Sequence, residues 1–372
     1  MSNSFKGTLF SRVLREGSLF ALFAALGVFT FFGGEWSQQP ADSPMLSVIV
    51  FVLLIGVMLW GAFSAVRHAE GLAHLLGEPY GTLILTLSVI VIEVAMIVAL
   101  LMGGPSDPGV ARDTMFSVLM IVLNGLVGLC LIVGGIRHSQ QVFNLQGANA
   151  FLASLVVLGA VSLILPTLTN SKPGGEASTL MEVYLIIASV LAYGAFLFVQ
   201  TGRYRGWFTS TDEEGDGEPH VPILNVKWHA ILLVLHLLPI VLLAKKLAVF
   251  VDAGIHIAGL PAAFGGMVIA VIVLAPEAMV AIAAARHNRI QRSVNVCLGS
   301  GLATIGLTVP AVLTVGFITG ITVELGLQPW NALLLGITFI CSMLTFMSSR
   351  TNYMQGILHL VLFGAYLVLI FE

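Results

Sequence analysis

The sequence predicts an all-α, polytopic membrane protein, and its composition is the first reason. Hydrophobic residues make up 58% of the 372 residues and charged residues 9%, with a mean hydropathy of +0.99. Soluble domains carry roughly 25% charged and about 45–50% apolar residues. The second reason is that the apolar residues form continuous runs rather than the alternating pattern of a membrane β-barrel. Most of the chain is therefore expected to lie in lipid.

Apolar runs of about 17–25 residues, the length that crosses a bilayer as a helix, predict about eleven transmembrane helices. They lie near residues 18–34, 45–66, 80–102, 115–136, 148–168, 179–200, 228–249, 263–285, 294–319, 330–347 and 354–371. The first run follows a basic segment, as it would in a secretory signal. It ends in Phe31-Phe-Gly-Gly-Glu35 without a small-residue cleavage site, which favours an uncleaved membrane helix.

The distribution of Lys and Arg predicts the orientation. With the N-terminus in the cytoplasm, twelve of the 16 basic residues fall in cytoplasmic segments. The four exceptions are Arg112, Lys172, Lys245 and Lys246. Because basic residues concentrate in cytoplasmic loops, we expect a multi-pass protein of the bacterial inner membrane with a cytoplasmic N-terminus. Eleven helices would then place the C-terminus outside.

The chain divides around one polar loop. Five acidic residues lie between Asp212 and Glu218, and a solvated linker is favoured over a cation-attracting or regulatory segment for such a run. The predicted organisation is an N-terminal helix and linker (1–44), a first five-helix repeat (45–205), an acidic cytoplasmic loop (206–227) and a second five-helix repeat (228–372).

Two glutamates occupy matched positions in these repeats. Glu93 lies in the third predicted helix and Glu277 in the eighth, and each follows a glycine (Gly81 or Gly265) by twelve residues. Five helices separate the two copies, so the copies run in opposite directions. Inverted repeats of this kind build ion sites at the bilayer midplane in secondary transporters. A carboxylate at that depth costs at least about 2.5–3.5 kcal/mol, so function explains the matched pair better than packing does.

Polar residues on the next helix complete each candidate site. Asn124-Gly125 follows Glu93 and Ser300-Gly301 follows Glu277, at separations of 31 and 23 residues. Facing carboxylates repel each other in a dry site, and either protons or a cation can neutralise them. Hard cations prefer oxygen ligands. The predicted cation and proton site comprises Glu93, Glu277, Asn124 and Ser300, with Ser88, Thr86, Thr304 and carbonyls freed near Pro276 and Gly301 as weaker candidates.

Other chemistry is not indicated by the sequence. Cys130, Cys297 and Cys341 lie in apolar runs without metal-ligand spacing, which is typical of buried thiols. For His236 and His359, interior histidines with hydrogen-bond partners are favoured over ligands. The sequence contains no Walker A motif, so a gradient rather than ATP would supply the energy. We expect no cofactor and no nucleic-acid partner. The expected partners are Ca²⁺, Na⁺ or K⁺, protons and the lipid bilayer, and homo-oligomerisation is left open.

Three segments resemble one family of transporters. Gly77-Glu-Pro-Tyr-Gly-Thr-Leu-Ile-Leu-Thr86 precedes Glu93, Ala275-Pro-Glu-Ala-Met-Val-Ala-Ile-Ala-Ala-Ala-Arg-His-Asn288 contains Glu277, and Gln141-Val-Phe-Asn144 lies between them. Together with the acidic loop, they resemble the bacterial calcium/proton (sodium/proton) antiporters of the cation/Ca²⁺ exchanger superfamily over residues 45–371. The resemblance implies an inverted five-plus-five helix fold, proton-coupled cation export, and cation binding by the two repeat glutamates.

One departure from that family bears on the choice of ion. Its calcium exchangers place Gly-Asn a few residues before the repeat glutamate, whereas this chain has Val89-Ile-Val-Ile92 and Val273-Leu-Ala-Pro276. Na⁺ and K⁺ therefore stay open beside Ca²⁺. The expected function is antiport of Ca²⁺ and/or Na⁺, with K⁺ open, against H⁺ by alternating access, in a secondary transporter rather than an enzyme. The alternative is a cation channel or another ion-binding membrane protein that uses the same glutamates.

Overall fold

The computed structural model describes residues 16–33, 44–76, 80–102, 108–169, 177–209 and 224–372. These residues form helices and no β-strand, with an isolated antiparallel bridge between Val142 and Arg350. The acidic loop from Asp212 to Glu218 and the basic segment before residue 16 lie outside the described residues. The prediction of an all-α protein is confirmed for the described part of the chain.

A helix stands at each of the eleven predicted positions. They are α1 (Gly17–Phe31), α2 (Pro44–Leu76), α3 (Tyr80–Leu101), α4 (Val110–His138), α5 (Leu145–Leu168), α6 (Thr179–Thr201), α7 (Val226–Ala258), α8 (Ala263–Arg286), α9 (Ile290–Thr319), α10 (Pro329–Thr345) and α11 (Tyr353–Leu369). Among the described residues, seven helices (α2 and α4 to α9) are long and apolar enough to cross a membrane. The chain is a multi-pass membrane protein, while the count of eleven crossings stays a prediction.

Several helices begin at a polar side chain that satisfies otherwise unpaired backbone N–H groups. Ser178 accepts from the backbone of Met181 at the start of α6, and Asn225 caps α7 in the same way. Asn144, from the segment used for the family resemblance, caps α5. Such a cap contributes about 1 kcal/mol. These polar residues therefore fix where α5, α6 and α7 begin.

Three of the described helices contain a π-helical segment, which adds a residue to one turn. The segments are Ile121–Leu126 in α4, Ala160–Ile164 in α5 and Thr304–Thr308 in α9. Such segments are rare and frequently mark functional sites, because the wider turn changes the direction of the side chains around it. Two of the three contain a residue predicted for the ion site, namely Asn124 and Thr304.

The chain forms two compact units. Unit 1 comprises Met1–Gly104 and His220–Gly259, and unit 2 comprises Pro105–Pro219 and Leu260–Glu372. Helices α1, α2, α3 and α7 belong to unit 1, and the other seven described helices belong to unit 2. These units are divisions in space, whereas the two predicted repeats are divisions of the sequence. The predicted domain boundaries therefore stay a prediction.

Unit 1 packs α7 against α2 through small side chains. Ala65, Ala69 and Leu72 of α2 form a buried cluster with Leu233 of α7. Small residues four positions apart let two membrane helices approach closely. Such packing drives their association, because lipid tails are as apolar as the side chains and the hydrophobic effect gives no driving force between helices.

Unit 2 is built around α4. Every residue from Ala111 to Gly128 is buried, and α8, α9 and α11 all pack on this helix. The contact between α4 and α11 is close at Gly128 and Gly356. A Cβ at Gly356 would stand 2.6 Å from the carbonyl oxygen of Gly128, which leaves room for hydrogen only. The helix that carries Asn124 is thus the interior element of this unit.

Replacing Gly356 by alanine should destabilise the protein. The added methyl would stand 2.6 Å from the backbone oxygen of Gly128 and 2.8 Å from the side chain of Ile132, and overpacking of this kind costs about 1–3 kcal/mol. We expect a lower midpoint of thermal unfolding in detergent. Gly364→Ala on the same helix is the matched control, because its Cβ would meet nothing within 4 Å. Equal midpoints for the two variants would contradict the close contact between α4 and α11.

Candidate functional site

Unit 2 brings together two residues that the sequence predicts for the ion site. Ser300 of α9 donates a hydrogen bond from its hydroxyl to Oε2 of Glu277 in α8, with 2.5 Å between the oxygens. The two helices follow each other across the short turn at residues 287–289 and pack together. Ser300 is buried and Glu277 is partly buried. A hydroxyl that donates to a carboxylate stabilises its ionised form, so this pair can hold a negative charge inside the unit.

A proline lies directly before Glu277 within α8. Pro276 has no backbone N–H, so the carbonyl of Ile272 lacks its usual partner four residues along the helix. This leaves a carbonyl acceptor one turn before the carboxylate. Such oxygens are the ligands that hard cations prefer.

Helix α9 carries hydroxyls at four-residue intervals beyond Ser300. Thr304 and Thr308 follow in its π segment, with exposures of 1% and 0%. Residues four apart are neighbours on one side of a helix. The hydroxyl of Thr308 is buried and has no hydrogen-bond partner in the described part of the chain. Our sequence reasoning missed Thr308, although the spacing of Ser300, Thr304 and Thr308 was a visible signal.

Tyr193 of α6 is a second residue that the sequence reasoning missed. Its buried ring packs on the π segment of α9, where a Cβ at Gly306 would meet the ring at 2.8 Å. Tyr193 therefore lies beside the helix that carries Ser300, Thr304 and Thr308. An aromatic residue within an apolar run gives no sequence signal for this position, because packing alone explains it equally well.

Glu93 lies in unit 1, on the buried side of α3. The side chain is 1% exposed, and Val89, Met96 and Ile97 of the same helix face are also buried. The hydroxyl of Ser88 donates to the carbonyl of Ile84 in its own helix. The side chain of Thr86 lies outside the described residues. Since Glu93 and Glu277 belong to different units, their pairing stays a prediction.

Asn124 is held by a buried hydrogen-bond network. Its Nδ2 donates to the hydroxyl of Thr338 at 2.9 Å, and its Oδ1 lies 3.3 Å from Nδ1 of His359. The other ring nitrogen of His359 lies 2.9 Å from the hydroxyl of Thr345. The amide therefore joins α4 to α10 and α11, and its partners are not the Glu277–Ser300 pair. The expectation that His359 is an interior histidine with partners is confirmed.

His236 is buried and has hydrogen-bond partners, and the cysteines are free thiols. The two ring nitrogens of His236 lie 3.0 Å from the Ser18 hydroxyl and 2.7 Å from the Leu232 carbonyl. Cys130 and Cys297 are buried free thiols, and Cys341 is a partly buried one.

With this geometry established, the chain can be compared with known proteins. The family model described as sodium/calcium exchanger protein matches residues 46–202 and 228–372. The chain belongs to the sodium/calcium exchanger protein family. The resemblance seen in the sequence is thereby confirmed, and the unmatched stretch between the two segments includes the acidic loop.

Known relatives agree with this assignment, and a solved structure shares the fold. The sodium-potassium/proton antiporter ChaA of Escherichia coli (strain K12) is 38% identical over 333 residues, covering 88% of this chain and 90% of that protein. The Ca²⁺/H⁺ antiporter of Aphanothece halophytica is 25% identical and covers 66% of this chain and 68% of its own length. The structure of native YfkE matches the fold with a TM-score of 0.71 at 17% identity, over 94% of this chain and 99% of that chain.

Thr338→Val should destabilise this exchanger through Asn124. The substitution keeps the shape but removes the hydroxyl that the buried amide uses, and a buried donor left unsatisfied costs about 1–3 kcal/mol. A lower midpoint of thermal unfolding is expected. In the control, Thr319→Val, the lost hydroxyl is exposed and bonds only within its own helix. If Thr338→Val unfolds at the temperature of the control, the amide is not held as described.

Proposed function

We propose that this exchanger is a proton-coupled cation antiporter, and that Glu93 and Glu277 are the carboxylates that take up cation and proton. The observation that carries the proposal is the Ser300–Glu277 pair. In this pair a carboxylate within the helices of a membrane protein accepts a hydrogen bond from a hydroxyl of the next helix. The relative at 38% identity over 88% of the chain is named a sodium-potassium/proton antiporter, which supports the same activity here.

The chemistry of a buried carboxylate explains how such a group couples two ions. An ionised carboxylate in an apolar medium is poorly solvated. A proton can neutralise it, and so can a cation. When one carboxylate cannot hold both, binding of the cation requires release of the proton. If the carboxylates reach the two sides of the membrane alternately, this competition becomes antiport without ATP.

The proposed repeat of inverted topology gains support from the π segments. The segment in α4 begins 28 residues after Glu93, and the one in α9 begins 27 residues after Glu277. This register differs from the sequence-based one, which paired Asn124 with Ser300. Asn124 then corresponds to Thr308, since each follows its glutamate by 31 residues. With this register the two spacings are equal, so neither repeat needs an insertion relative to the other.

For the transported ion, we propose Na⁺ and K⁺ first. Apolar residues replace the amide-bearing positions of calcium exchangers before both glutamates, and fewer oxygen ligands suit a monovalent ion better than Ca²⁺, which takes 6–8 of them. The name of the E. coli relative supports this choice. Calcium is the second candidate, because another relative is a Ca²⁺/H⁺ antiporter.

The proposed setting is the bacterial inner membrane with the N-terminus in the cytoplasm. The support is the concentration of twelve of 16 basic residues on one predicted side, because positive charge concentrates on the cytoplasmic side of membrane proteins.

Glu93→Gln and Glu277→Gln should each abolish exchange and leave the protein folded. Glutamine keeps the size of the side chain, but it neither ionises nor carries the exchangeable proton. Each variant would be reconstituted in vesicles and assayed for cation-dependent proton flux after size-exclusion chromatography confirms that it is monodisperse. Glu182→Gln, in the first turn of α6, is the matched control and should retain flux. Normal flux from either repeat variant removes that residue from the proposed site.

Cation binding should release protons from the purified protein. At low pH the carboxylates are protonated, so the apparent cation affinity should rise with pH until they are ionised and then level off. Calorimetry in two buffers of different ionisation enthalpy measures the protons released. In the double variant Glu93→Gln/Glu277→Gln, no release should occur. An affinity that is flat with pH, with no protons released, would show that cation and proton do not share these carboxylates.

A further inference from the structure

Unit 1 contains a second group of ionisable side chains that the proposed exchange does not use. Glu16 lies directly before α1, His68 lies on α2 and His236 lies on α7. Oε2 of Glu16 is 3.1 Å from Nε2 of His68 and 3.7 Å from Nε2 of His236. The three atoms all lie within 4.8 Å of one another. Both rings are buried, at 2% and 0% exposure.

We propose that Glu16, His68 and His236 form a binding site for a divalent transition-metal ion of the Zn²⁺ type. Two imidazole nitrogens and one carboxylate oxygen are a ligand set that Zn²⁺ uses in proteins. Ligands about 2.0–2.1 Å from Zn²⁺ in tetrahedral arrangement lie roughly 3.3 Å apart, close to the two distances from Glu16. None of these three residues is a predicted exchange residue, and the proposal does not rest on the proposed function.

The tautomer of His236 suits metal binding. Its Nδ1 lies 2.7 Å from the carbonyl oxygen of Leu232. Because a carbonyl can only accept, Nδ1 must carry the proton, and in the neutral ring Nε2 then has its lone pair free. That lone pair lies on the side of Glu16 and Ser18. A backbone carbonyl that fixes the far ring nitrogen is the usual way in which proteins orient a metal-binding histidine.

His68 can present its Nε2 lone pair because of a third histidine. Nδ1 of His68 lies 3.1 Å from Nδ1 of His229, so one of these two nitrogens must donate to the other. When His229 donates, Nε2–H of His68 donates to Glu16. When His68 donates, its Nε2 is free to bind a metal, and the proton of His229 moves to Nε2. The number of protons on the pair is the same in both arrangements.

The structure makes room for that third ring. Nε2 of His229 is buried and has no hydrogen-bond partner among the described residues, so neither tautomer disturbs another contact. A Cβ at Gly71 would stand 2.5 Å from the ring of His229. The glycine on α2 therefore admits the ring that supports His68.

Two further side chains complete the surroundings of the proposed site. Arg67 lies 3.1 and 3.2 Å from the two carboxylate oxygens of Glu16 and holds this side chain in place through an ion pair. The hydroxyl of Ser18 lies 3.0 Å from Nε2 of His236 and 2.7 Å from the hydroxyl of Ser64. It marks the place of a fourth ligand, either this hydroxyl or a water bound to it. The ion would join the start of α1 to α2 and α7.

Zinc binding by the full-length protein tests the proposal. The parent is Glu93→Gln/Glu277→Gln, so that the exchange carboxylates contribute nothing, and Zn²⁺ is titrated in competition with a chromophoric chelator. We expect one Zn²⁺ per chain. His68→Gln and His236→Gln should each weaken the affinity by at least about 100-fold, since loss of an outer-shell partner alone costs about 10–100-fold. His256→Gln is the matched control, because this histidine also lies on α7 but its side chain is 74% exposed, and it should bind as the parent does.

Three outcomes would overturn the site. They are no Zn²⁺ bound by the parent, unchanged affinity in both histidine variants, and equal loss in the His256 control. Absence of binding would mean that Glu16, His68 and His236 form a hydrogen-bonded ion pair only. If the variants fail to fold, X-ray absorption of the Zn²⁺-loaded parent decides instead. Two imidazole ligands with oxygen ligands support the site, and a thiolate or all-oxygen shell overturns it.

Discussion

The hydrogen bond from Ser300 to Glu277 gives a polar partner to a carboxylate that lies within the helices of a membrane protein. Inside apolar helices no bulk water solvates a carboxylate, so each one needs a proton, a cation or a hydrogen-bond donor. Unit 2 supplies one hydroxyl, that of Ser300, from α9, the helix that follows α8 across a short turn. A single hydroxyl offsets only part of the loss of water. A proton or a cation would supply the rest of the stabilisation in the exchange that we propose.

Asn124 is also a buried polar residue, but its hydrogen-bond partners are of another kind. This amide is neutral, and fixed partners on α10 and α11 satisfy it through Thr338 and His359. A buried network of this kind stabilises one arrangement of helices, because every broken hydrogen bond leaves an unsatisfied group. Unit 2 thus contains two kinds of polar contact. One holds α4 in place through neutral groups, and the other includes the Glu277 carboxylate that we propose to exchange protons and cations.

Unit 1 ties its N-terminal helix down with polar contacts as well as apolar ones. Ser18 of α1 reaches both Ser64 of α2 and His236 of α7, and Arg67 pairs with Glu16 just before α1 begins. In a lipid environment apolar side chains give little preference for a neighbouring helix over a lipid tail. Interhelical hydrogen bonds therefore specify the position of α1 in a way that its apolar sequence does not.

The sequence by itself determined the helices and the identity of the charged residues within them. Hydropathy is a property of one segment and its solvent, so the eleven apolar runs located eleven helices. Glu93 and Glu277 were evident because an ionisable residue in an apolar run is rare.

Only the tertiary structure decided which buried polar groups form hydrogen bonds with each other. Thr338 lies 214 residues after Asn124, and His236 lies 218 residues after Ser18, distances along the chain at which no local pattern signals a contact. The π segments of α4 and α9 were likewise evident only in the structure. The sequence states which groups need a partner in lipid, and the packing of distant helices decides which partner each group receives.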